Sequence, residues 1–140
     1  MDSTRSWSFV ADALADARPV RLAVRRFLET AADTETSDLD GAELIVGELI
    51  ANVVRHGSPP FGVCVDWHSD VPTLYVSDRG RPRKRLLYTA PDDDAEHGRG
   101  LLLVRALSHG TLSVEVRGGT RSGTRVVVTL PVRRRSERAA

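Results

Sequence analysis

Glu48, Asn52 and His56 stand four residues apart in the segment from Leu39 to His56, LDGAELIVGELIANVVRH. At helical pitch each is turned by about 40° from the last, so a carboxylate, an amide and an imidazole form one polar ridge. Such a set can take up a proton, offer a neutral oxygen to a cation and contact a polar ligand. The same ridge can also be the ordinary solvated flank of a half-buried helix. Further along, Asp78 ends the run VSDRG, Gly98 and Gly100 lie in GRGLLLV, and Thr124 lies in SGTRVVV. An aspartate just after an apolar strand can accept a hydrogen bond from the exocyclic amine of adenine, which guanine lacks at that edge. Gly80 lets the chain pass close to a ring, and glycines ahead of a helix let backbone amides approach phosphate oxygens. Taken singly, each has a plainer account: Asp and Gly are common in turns, two glycines make a joint, and Thr often starts a strand.

Elements that would hold these residues follow from periodicity. Ala42, Ile45, Leu49 and Val53, widened by Val46, Ile50 and Val54, recur at spacings of three and four and predict an amphipathic helix from Leu39 to His56. Asp40 with Glu43 forms a capping-box pattern, with Ser37 and Asp38 as competing caps, and Gly57 to Pro60 ends the helix. An earlier helix starts near Pro19 and carries an apolar stripe to about Ala32. Strands are expected at Ser6 to Val10, Phe61 to Trp67, Thr73 to Val76, Thr111 to Arg117 and Thr124 to Leu130. A short helix is expected from Leu101 to Ser108. The stretch from Arg79 to His97 is charged, contains Pro82 and Pro91, and reads as a mobile lid.

In their order, ELIANVVRH, SDRG, GRGL and GT resemble the four boxes of the GHKL ATPase and kinase superfamily, with the nearest likeness to single-domain anti-sigma-factor serine/threonine kinases. The likeness spans most of residues 6 to 131. It implies an α+β two-layer sandwich, a mixed and mostly antiparallel sheet with helices on one face, with ATP and Mg2+ between helices and lid. It implies Glu48 as general base and Asn52 as the magnesium ligand. It places Asp78 and Gly80 at the adenine, and Gly98, Gly100 and Leu101 at the phosphates. Thr124 falls near the base, and His56 is either a nucleotide contact or a capping and packing group. The partners it implies are a sigma factor and an anti-sigma antagonist protein that receives the phosphate, and it allows a homodimer. Pro82 stands where the family's fuller first glycine box has a second glycine, which removes an amide and stiffens the loop. A non-enzymatic module that sequesters a regulatory protein is therefore the alternative. A histidine-kinase fragment fits less well, because no dimerising hairpin with a phosphoacceptor histidine is visible; larger GHKL ATPases need a transducer domain.

The chain of 140 residues is 41% hydrophobic and 28% charged, with a formal net charge of +1, which suits one globular domain over residues 1–132 and a basic, disordered tail over 133–140. The basic clusters at Arg79 to Arg85 and Arg133 to Arg138 are not interleaved with aromatics, so no direct nucleic-acid binding is expected. No membrane-length apolar run or secretory signal appears, and a cytoplasmic protein is expected. Cys64, the single cysteine, can form no internal disulfide and reads as a packed thiol.

Overall fold

A computed structural model describes residues 5–13, 17–80, 95–118 and 123–136, and of 95–99 the backbone alone. Strand β1 (Ser6–Ala11) is followed by helices α1 (Arg18–Glu29) and α2 (Leu39–His56), then by strands β2 (Phe61–Asp66) and β3 (Thr73–Asp78). Helix α3 (Ala95–Leu107), β4 (Ser113–Arg117) and β5 (Gly123–Thr129) follow. The strands form one sheet in the order β1-β2-β3-β5-β4. Each of its four pairings is antiparallel, so the mixed sheet expected from the resemblance is antiparallel throughout among the described residues.

Alternation along the strands sets the two layers. Phe61, Val63 and Val65 of β2 and Leu74, Val76 and Asp78 of β3 are buried, whereas their neighbours in sequence are only half-buried. The buried set meets Val24 and Leu28 of α1, Ile45, Val46, Leu49 and Ile50 of α2, and Val104 of α3 in a single core. Complete burial of a Val, Leu or Ile side chain contributes about 1.5–3 kcal/mol, so α2, with seven buried residues, is the principal anchor of the helix layer.

Capping differs from the capping box. Asp38 is the N-cap of α2, and its Oδ1 accepts from the Gly41 N–H at 2.8 Å. Asp40 and Glu43 instead face α1, where Arg25 donates to both at 2.6 and 2.7 Å and to Glu29 at 3.0 Å. These three acidic partners drive the Arg25 pKa upward. The start of the basic tail is tied down: Arg134 bridges Ala32, donates to the Trp67 carbonyl at 2.8 Å and lies 5.1 Å from the Trp67 ring centroid. The expected disordered tail therefore does not begin at Arg133, and residues 137–140 lie outside the described residues. Among the described residues, no helix is long and apolar enough to cross a membrane.

Candidate nucleotide site

Helix α2 runs past both ends of the site. Near its middle, Glu48 is half-buried and points its carboxylate at α3, where a Cβ built on Gly100 would collide with Glu48 Oε2 and stand 3.0 Å from its Cδ. Gly100 therefore does not precede the helix as expected. It is the sixth residue of α3, beyond the four N–H groups that a helix leaves unpaired, while Gly98 is the last of those four. Gly98 retains the geometry for an anion at a helix N-terminus; Gly100 makes room for Glu48. Leu101 is buried in the core. Asn52, one turn beyond Glu48, is half-buried on the same ridge, and half-buried His56 ends the helix.

The C-terminal end of α2 meets Asp78. This aspartate is the last residue of β3 rather than the first residue after it, and only 7% of it is exposed. Its Oδ1 accepts from the Gly80 N–H at 2.5 Å, and the Ser58 N–H also donates to the carboxylate. Burial pushes its pKa above the ordinary carboxylate value, and the two amides offset part of that rise. The turn after it is held twice: Arg79 N–H donates to the Ser58 carbonyl at 2.9 Å, and the Thr124 hydroxyl donates to the Gly80 carbonyl at 2.8 Å. Thr124 pairs directly with Asp78 across β3 and β5. In the expected lid, Arg79 and Gly80 lie in this turn, residues 95–97 belong to α3, and residues 81–94, Pro82 included, lie outside the described residues.

Nine residues separate Glu48 from Gly57, or about 13 Å along the axis at helical rise. The Asp78 carboxylate and the Glu48–Gly100 contact thus stand at separate places along α2, at a spacing on the scale of a nucleoside triphosphate, with Asn52 between them along the helix. Among the described residues no group of three acidic, histidine or cysteine side chains could cage a metal. The half-buried Asn52 amide offers a neutral oxygen of the kind that suits a hard cation already carrying phosphate oxygens. A separate cleft of about 590 Å³ opens on the uncovered sheet face, lined by Cys64, Tyr75, Ser77, Arg117 and Arg125 among others. It reaches Asp78 and Thr124 but includes neither Glu48 nor Asn52. Burial raises the pKa of Cys64, which disfavours a thiolate there.

Fold and site define an ATPase domain of the kind found in histidine kinases. The chain belongs to the histidine kinase-like ATPase domain family, whose model it matches over residues 10–130. It is accordingly an ATP-binding protein of the GHKL superfamily, a class that usually takes Mg2+ with the nucleotide. Among curated proteins, no sequence matches the chain. Two contributors escaped the sequence reading. Gly57 read as a helix stop and Ser58 as part of the following turn, yet both face Asp78; a helix end 21 residues before an aspartate gives no local sign of that contact.

Proposed function

We propose that the protein is an ATP-dependent serine/threonine kinase of the anti-sigma type, acting in the cytoplasm, that holds a sigma factor and phosphorylates an antagonist protein. The observation that carries catalysis is the Glu48 carboxylate, set against Gly100 and one turn from Asn52. Glu48 takes the proton of a substrate hydroxyl as the hydroxyl oxygen bonds the terminal phosphorus and the bond from phosphorus to the departing ADP breaks. Asp78 holds the adenine amine, and the N-terminus of α3 at Gly98 meets the phosphates. Magnesium, when bound through Asn52, supplies charge neutralisation. The sigma factor and antagonist rest on motif likeness alone.

Transfer of labelled γ-phosphate to candidate antagonists from the same genome tests the reading. Glu48→Ala should lower transfer by about a hundredfold or more while ATP still binds, whereas Asn52→Ala should weaken both. Unaltered transfer by Glu48→Ala removes that residue from the mechanism. Pro82, in place of a glycine, favours a second reading, a nucleotide-binding module that sequesters its partner without chemistry. Wild-type protein that binds ATP and a partner but phosphorylates no candidate would establish that second reading over the first.

A further inference from the structure

Gly57 follows α2 with φ −93° and ψ −177°, an extended conformation open to any residue. Helices that end in glycine commonly use its left-handed conformation, and this one does not. Space is the constraint instead. A Cβ built on Gly57 would collide with Asp78 Oδ2, stand 2.7 Å from Asp78 Cγ, and stand 2.6 Å from the Val53 carbonyl oxygen. That carbonyl already accepts the Gly57 N–H at 2.7 Å, so the main chain is pinned where it is. On its other sides Asp78 is bound by the amides of Ser58 and Gly80, and a Cβ on Gly123 would collide with the Asp78 main-chain carbonyl. The carboxylate sits in a box, and the wall formed by residue 57 is a hydrogen atom.

We propose that Gly57 is a positioning residue for base selection: the space left by its missing side chain seats Asp78 Oδ2, and this seat aims the carboxylate at the exocyclic amine of adenine. The inference rests on the reading of Asp78 as the adenine acceptor. It goes beyond that reading by placing discrimination between bases in a residue that acts through Asp78. A methyl group at position 57 must displace the carboxylate or the helix end, and a displacement on the order of 1 Å can cost a hundredfold in a positioned interaction.

The test compares dissociation constants for ATP and GTP, each with magnesium, in wild-type protein and Gly57→Ala. The preference for ATP should fall at least tenfold, while the constant for GTP changes less than about threefold, because the phosphate end is remote from Gly57. Urea unfolding without nucleotide supplies an independent cycle with Asp78→Ala. Gly57→Ala should destabilise the Asp78→Ala background less than wild type, since the carboxylate that contests the space is gone. Equal destabilisation in both backgrounds would mean that only the Val53 carbonyl resists the methyl group, and would overturn the proposal; so would an unchanged preference for ATP. Should Gly57→Ala fail to fold, Asp78→Glu presses the same wall from the other side without altering the helix end. Full retention of adenine preference there overturns the tight seat, whereas its loss together with a urea destabilisation greater than that of Asp78→Ala supports it. Wild-type protein that distinguishes no purines ends the adenine reading and the selection role together. The urea cycle then still reports whether Gly57 and Asp78 share one space, so the two failures remain distinguishable.

Discussion

At the scale of single residues, the proposed chemistry rests on two close contacts, Asp78 against Gly57 and Glu48 against Gly100, and each predicts a distinct response. Asp78 has its pKa raised by burial, so the fold favours the protonated form. Stability contributed by that form is complete below the ordinary carboxylate range and is lost as pH rises through the raised value. Ionising that carboxylate in the free protein therefore costs stability as pH rises. In thermal melts without nucleotide, Asp78→Asn should gain stability relative to wild type at pH 7 and lose that advantage in acid; a constant difference across pH would contradict the assignment. ATP affinity should show the reverse trend and weaken in acid, because a protonated carboxyl is the poorer acceptor. Gly100 gives the second response. Alanine improves intrinsic helix propensity by about 0.8–1 kcal/mol over glycine, but its methyl group falls on the Glu48 carboxylate. That carboxylate is the far end of a flexible side chain and can move. Gly100→Ala should thus retain its melting temperature within a few degrees while phosphoryl transfer falls tenfold or more, a separation readable from melting curves beside a transfer assay.

Among the elements, α2 joins packing to the proposed chemistry, because one helix supplies the core through Ile45, Leu49 and Ile50 and carries the candidate residues Glu48 and Asn52. Its N-terminus depends on Asp38, whose carboxylate also stands where a side chain at residue 41 would begin. Removing such a cap costs about 1 kcal/mol. Asp38→Ala should therefore lower the melting temperature by roughly 3–4 °C for a domain of this size, with ATP affinity little changed, since the cap is at the far end of α2 from Gly57. A loss of binding as large as the loss from Asn52→Ala would show that the helix moves as a rigid rod between cap and site. Helix α3 begins at Ala95 rather than Leu101, and its second turn admits the Glu48 carboxylate because residue 100 has no side chain.

For the molecule as a whole, closure depends on a segment that looked dispensable. Ala32 pairs with Arg134, Asp33 N–H donates to the Arg133 carbonyl at 2.8 Å, and the Arg134 guanidinium covers Trp67, which is fully buried and takes Phe27 edge-on at 6.1 Å. One cation–π contact and a few hydrogen bonds amount to a loss on the order of 2 kcal/mol. Truncation after Val132 should accordingly lower the urea midpoint, with the slope unchanged, whereas truncation after Ser136 should not. The sequence by itself determined what short-range pattern determines: the amphipathic helix from Leu39 to His56, the alternating strands, and the ridge of Glu48, Asn52 and His56, all set by the period at which side chains repeat. Boxes read in order were enough to place the chain in its superfamily. Only the tertiary structure decided contacts between segments distant along the chain. Arg25 drew Asp40 and Glu43 from the capping box to α1, Gly100 joined the second turn of α3 opposite Glu48, and Gly57 came to rest against Asp78. The physical reason is that periodicity fixes which way a side chain faces, while the choice of neighbour, and hence whether a glycine ends a helix or makes room for a carboxylate, depends on how the layers pack.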